Sequence, residues 1–187
     1  MVTIVQKDDP ILRRIAEPVA ASMIGTPALR RMIRDMKEAI ASQDDAVAIA
    51  APQIGVSLRI FVVSGKVWDM LATQRESGAP ESDDVVFINP EIVKLSKDKE
   101  KMEEGCLSVR YLYGKMMRAK KAKIRALNEK GQAFEIGGSG LLAQIFQHET
   151  DHLDGKLFID EATEIEDIPP EPVATAAKKP TPRRKLA

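Results

Sequence analysis

Two stretches carry apolar residues at helical spacing. In residues 27–40, Leu29, Met32, Ile33, Met36 and Ile40 recur every three or four positions, Pro27 suits the first turn, and Thr26 can cap it. In residues 141–153, Leu141 and Ile145 continue such a stripe, and Gly155 supplies a stop. Strand patterns occupy 59–64 and 85–88, which are β-branched and apolar, and Asn89-Pro90 is expected to end the second. Residues 123–127 and 132–136 flank Asn128-Glu-Lys-Gly131, which reads as a hairpin. Residues 66–84 form a polar excursion in which Trp68 and Leu71 cover a short helical turn. Residues 46–53, Ala-Val-Ala-Ile-Ala-Ala-Pro-Gln, are small enough for backbone to approach a bound group closely.

The expected organisation is one domain over residues 1–162 followed by a disordered tail, 163–187. Five of the eleven prolines lie at or beyond Pro169, and the tail is acidic at first and basic at its end, 178–185. Few strands and two good helices indicate an α+β domain.

Composition narrows the function classes. Lys plus Arg (28) equal Asp plus Glu (28), so no global field draws the chain to nucleic acid or membrane. No sequence-specific nucleic-acid partner is expected. The start of the chain lacks the basic-then-apolar layout of a secretory signal, and no apolar run is long enough to span a bilayer. One cysteine excludes an internal disulfide. The expected compartment is the cytoplasm.

The segment richest in chemistry is Gln147-His148-Glu149-Thr150-Asp151-His152. Histidines at i and i+4 stand one turn apart on one helix face, so both rings can reach one metal ion. Glu149, beside the first, can take a proton from water activated there. The chain has no other histidine. A catalytic site of this kind needs three protein ligands and an open position, so the third must be another residue type. Cys106 is a candidate, set between Glu104-Gly105 and Leu107-Ser108. The alternative for these residues is two inert histidines and a small buried thiol.

Three segments in order, Ala50–Gln53 (Ala-Ala-Pro-Gln), Glu104–Ser108 (Glu-Gly-Cys-Leu-Ser) and Gln147–Gly155 (Gln-His-Glu-Thr-Asp-His-Leu-Asp-Gly), resemble the signature of the peptide deformylases. The likeness extends to 9–13, 87–92 and 123–127, and so covers nearly all of residues 1–160. It implies mixed and antiparallel sheets packed around a central helix carrying both histidines. It also implies removal of the N-formyl group from N-terminal formylmethionine of nascent chains, releasing formate.

Carried over residue by residue, the resemblance makes Cys106, His148 and His152 ligands of one divalent ion. Fe(II) is the native ion it implies, with Zn(II), Ni(II) or Co(II) able to take the site. Glu149 becomes the general acid/base, and the Gln53 amide and Leu107 N–H the oxyanion donors. Glu104 and Arg118 match a pair that braces the cysteine loop, and Gln147 a supporting position. By position, Val47, Ala48, Gly105, Leu141, Gln144 and Ile145 line the substrate pocket.

The sequence departs from the family at four places. Ala46 and Ala48 stand where a Gly-x-Gly is usual, which would matter if either position needed positive φ or close approach to substrate. Arg110 replaces the usual Pro after the cysteine motif. Gln144 stands where an aliphatic residue commonly lines the methionine pocket, which argues against a strictly apolar pocket. The Pro-rich tail occupies the place of a helix that some members dock on the ribosome, a partner its basic end would suit by phosphate attraction. Two other readings fit the residues: a zinc peptidase or amidase built on the helix motif, and a divergent relative that binds formylated chains or ribosomes without turnover.

Overall fold

The computed structural model describes residues 2–71 and 83–169. A five-stranded antiparallel sheet lies at its centre, in the order β1 (Ala48–Ala50), β2 (Ile60–Val63), β3 (Val85–Leu95), β6 (Lys121–Leu127), β7 (Ala133–Ser139). A second antiparallel sheet orders β4 (Lys99–Gly105), β5 (Leu112–Ala119) and β8 (Thr163–Asp167). The helices are α1 (Pro27–Ala41), α2 (Gly65–Leu71) and α3 (Leu141–Leu153). Among the described residues the only parallel pairing is an isolated bridge, Glu17 to Leu58. The expected α+β architecture around a histidine-bearing helix is what forms.

The unbroken apolar run of β2 follows from helices on both faces of the large sheet. Ile60, Val62, Val86 and Ile88 pack with Leu29, Ile33, Met36 and Ile40 of α1. Phe61, Val63 and Phe87, one residue out of phase, pack with Leu142, Ile145 and Phe146 of α3. Phe87 is the hub, its ring 4.5 Å from Phe61, 5.3 Å from Phe134 and 5.6 Å from Phe146.

Local chemistry fixes the helix ends. Thr26 Oγ1 accepts from Leu29 N at 3.3 Å, the expected cap of α1. Past α3, Gly155 N donates to His152 O (3.2 Å) and Lys156 N to Asp151 O (2.9 Å), a Schellman closure with Gly155 at φ 74°. A Cβ there would also meet Arg13 O at 2.8 Å, so both the angle and the packing require glycine.

Three expectations are corrected. Asn89-Pro90 does not end β3, which runs on to Leu95 through a register shift between Ile88 and Glu91. Asn89 takes φ 49° at this bulge and exchanges hydrogen bonds with Val19, accepting from its N (2.7 Å) and donating to its O (2.9 Å), while Pro90 falls where the ladder is already disrupted. The domain does not stop at 162, because Thr163–Asp167 pairs with β5. Every residue of β8 is exposed, so no apolar pattern marked it; backbone pairing and ion pairs from Lys101 and Lys115 to Glu164 hold it. Lastly, α2 is covered by buried Val67 and half-buried Trp68, whereas Leu71 is exposed. The rest of the polar excursion, 72–82, and the tail from 170 lie outside the described residues.

Candidate metal centre

α3 lies between the sheets and presents a different face to each. Its apolar face meets the large sheet. Toward β4 and β5 it turns Gln144, Gln147, His148 and Asp151, spaced i, i+3, i+4 and i+7, so one stripe of polar residues clasps the smaller sheet. Gln147 Nε2 donates to Ala119 O (3.0 Å), and its Oε1 accepts from Ala119 N (2.9 Å). Asp151 and Glu104 grip Arg118 from two sides: Arg118 donates to Asp151 Oδ2 at 2.6 Å and to both Glu104 oxygens at 3.0 and 2.6 Å. His148 Nδ1 lies 2.6 Å from Glu104 Oε1, which turns its Nε2 toward Cys106.

This clasp sets the cysteine beside the helix. β4 ends at Gly105, and Cys106 opens a turn closed by Val109 N donating to Cys106 O at 3.0 Å. Cys106 Sγ stands 3.2 Å from His152 Nε2, and the ligand atoms of Cys106, His148 and His152 all lie within 4.8 Å of one another. Ser108 N donates to the sulfur at 3.4 Å. From the other wall, Gln53 Oε1 accepts from Ala50 N (2.8 Å), which turns its Nε2 toward Ser108 Oγ (3.2 Å) and the sulfur (3.5 Å).

The electrostatics favour a cation. Burial alone would raise Glu104, but the hydrogen bonds and charges of His148 and Arg118 prevail and hold it at about 2. Burial works against charge on His148 too, yet hydrogen bonds with Cys106 and Glu104 hold its proton well above the usual imidazole range. Sulfur and carboxylate thus demand positive charge where the three donors converge. His152 is pushed down by burial and by the charge of His148, toward the neutral ring a ligand must offer. Glu149 Oε2 is buried without a partner beside this point. Soft sulfur, two imidazoles and an idle carboxylate oxygen fit a divalent ion with its water.

Comparison with known proteins agrees. The sequence profile described as polypeptide deformylase matches residues 1–167. A peptide deformylase of Desulforudis audaxviator is 41% identical over 87% of this chain and 94% of its own. One of Halothermothrix orenii is 43% identical over 84% and 90%. The crystal structure of a peptide deformylase from Legionella pneumophila superposes with a TM-score of 0.73 at 39% identity, covering 88% of this chain and 87% of that one. The chain belongs to the polypeptide deformylase family. It is a metal-dependent enzyme by family, acting on the N-formyl group of nascent peptides. That reading stands over the peptidase and the binding-only relative.

A cavity of about 290 Å³ in this deformylase opens on the cluster. Val47, Ala48, Gly105, Leu141, Gln144 and Ile145 all line it, as do Gln53, Glu104, Cys106, Leu107, His148 and Glu149. His152, Arg118 and Gln147 sit behind the wall. Neither Ala46 nor Ala48 takes a positive φ, and both are buried, so the two methyl groups add core contact at no backbone strain. Arg110 lines the cavity and donates to Asp45 Oδ2 (2.7 Å) and Gln43 Oε1 (2.8 Å), and so ties the loop after α1 to the cysteine turn.

Three contributors escaped sequence reasoning. Asp151 was legible in principle, as an acid at i+3 from His148 on the polar stripe. Ser108 lies inside a motif already singled out, but only the fold turns its N–H to the sulfur. Gln6 Nε2 holds Leu107 O at 3.1 Å across 101 residues of chain, which no local pattern signals.

Proposed function

We propose that Cys106, His148 and His152 hold one divalent ion, natively Fe(II), and that this centre cleaves the formamide bond of N-formylmethionyl chains. The observation that carries the reading is the convergence of one sulfur and two imidazoles within 4.8 Å beside an unpartnered carboxylate oxygen. Fe(II) is what the family likeness implies; the ligand set suits Zn(II), Ni(II) or Co(II) as well. An ion held there supplies Lewis-acid activation of water and of the formyl carbonyl.

The chain's own groups do the rest. Glu149 takes the proton of the attacking water as the carbon–oxygen bond forms. Charge develops on the formyl oxygen, toward which Gln53 Nε2 and the Leu107 N–H donate; in comparable sites one such donor accounts for about 10²–10³ in rate. Glu149 then gives its proton to the departing nitrogen as the C–N bond breaks, leaving formate and a free amine. The rest of the substrate has a track to follow. β1 and β4 are the outer strands of their sheets and both border the cavity, so an extended peptide can add to either edge.

Comparing formyl-Met-Ala-Ser with acetyl-Met-Ala-Ser, under anaerobic conditions with metal quantified in the same sample, tests this. A formyl carbon carries only hydrogen, and exclusion of the extra methyl should favour formyl by at least about 10²-fold. Equal cleavage of the two would point to a general amidase.

Among the described residues no helix is long and apolar enough to cross a membrane. We place the enzyme in the cytoplasm, where nascent chains are made, with the basic run 178–185 as a contact to ribosomal RNA phosphates. Salt-sensitive co-sedimentation with ribosomes should be lost on truncation after Pro169; no difference ends that contact.

A further inference from the structure

Gln144 is the polar residue in the part of the cavity where the substrate's first side chain must lie. Two bonds, ~2.4 Å across, separate a formyl carbon at the cluster from the Cα of the residue that bears it. That side chain therefore starts beside His148, and one helical turn back along α3, ~5.4 Å, stand Gln144 and Ile145. Val47 and Leu141 complete this wall.

The orientation of the Gln144 amide is fixed by what it touches. Nε2 donates to Glu103 O at 2.7 Å and approaches Glu104 Oε2 at 3.4 Å. Both partners are acceptors, so the amide cannot be turned about without setting oxygen against oxygen. The carbonyl oxygen is the polar atom left for the cavity. At 9% exposure and tied to β4, the side chain has no room to withdraw it.

We propose that Gln144 sets the side-chain selectivity of this deformylase: its carbonyl oxygen is a fixed acceptor that admits formylated peptides whose first side chain ends in an N–H or O–H donor, alongside those beginning with methionine. The inference rests on reading the cavity as the formyl-peptide cleft. A thioether entering must strip water from that oxygen and offers no donor in return; a carboxamide of similar length restores the bond.

The test is the ratio of kcat/KM for formyl-Met-Ala-Ser to that for formyl-Gln-Ala-Ser, in the wild type and in Gln144→Leu, within single preparations. Metal loading and the folded fraction cancel in the ratio. It should rise about tenfold in Gln144→Leu, the worth of one hydrogen bond. A brace without contact to substrate would lower both rates together, and an unmoved ratio overturns the proposal. If Gln144→Leu fails to fold, Gln144→Met answers the same question. A further readout, free of turnover, is calorimetric binding of the product peptides Met-Ala-Ser and Gln-Ala-Ser to the wild type. Affinities within about tenfold are expected, and a hundredfold preference for the methionine product refutes the acceptor. Release of no formate from either substrate would instead count against the hydrolase reading, and the peptide affinities would still decide the role of Gln144.

Discussion

Replacing Cys106 with alanine is expected to weaken metal binding on the order of 10²–10³-fold while leaving the fold in place. Structural zinc sites bind with about 10–16 kcal/mol spread over their ligands, so one ligand accounts for about 3–4 kcal/mol, or two to three decades in affinity. The fold should survive because, the histidines aside, the sulfur accepts only two long contacts, at 3.4 and 3.5 Å, and stronger bonds hold the turn. Leu107 O is held by Gln6, and Glu104, two residues before the cysteine, is gripped by Arg118 and His148. The side chain is half-buried and small, so its loss leaves little void. Metal per chain after dialysis, read beside the far-ultraviolet circular dichroism spectrum, checks both halves. A variant that keeps stoichiometric metal would remove the sulfur from the ligand set, and one that unfolds would show the thiol to be structural.

That Cys106 is reached as a third ligand only by elimination and by a family likeness, while spacing alone pairs the histidines, reflects where information sits in a chain. His148 and His152 share one helix, and helical geometry turns a spacing of four into a shared face. Cys106 meets His152 across 46 residues, through strand pairings that have no local signature. The same division runs through the fold. α1 and α3 were legible because an amphipathic stripe writes its partner into the sequence. β4 was not: Lys-Glu-Lys-Met-Glu-Glu-Gly alternates nothing apolar, since one face of this edge strand is exposed and the other is half-buried or carries the buried Glu104. β8 has every residue exposed and is a strand only because β5 pairs with it. Asn89-Pro90 looks like a break until Val19 is known to satisfy the Asn89 amide. Gln144 shows the opposite case. Its departure from the family was visible as a letter, but which end of its amide faces the cavity depends on Glu103 O, known only once β4 is placed against α3.

Replacing Glu149 with glutamine should reduce turnover by about 10²–10⁴-fold, the usual share of a positioned acid/base, with metal content unchanged. The carboxyl is 4% exposed, and its Oε2 is buried with no hydrogen-bond partner. Burial raises it to about 7; the charge of His148 pulls the other way, and the nearby Glu104 and Asp151 add to the rise. A cation held by the adjacent donors would draw it back down. In the folded protein this oxygen stabilises nothing, and an unsatisfied buried polar atom costs about 1–3 kcal/mol. A residue kept at that cost is the kind of strain active sites tolerate for function. The substitution therefore has an expected effect of opposite sign on stability. The amide fills the same volume without a buried charge, so the urea midpoint should hold or rise as turnover collapses. Formate release and equilibrium unfolding of the same preparation, with metal content alongside, separate the outcomes. Full turnover in Glu149→Gln would take the proton transfer away from this residue. Loss of metal together with activity would make Glu149 part of the binding site, whereas lost turnover with metal and stability intact leaves it the role of moving the proton.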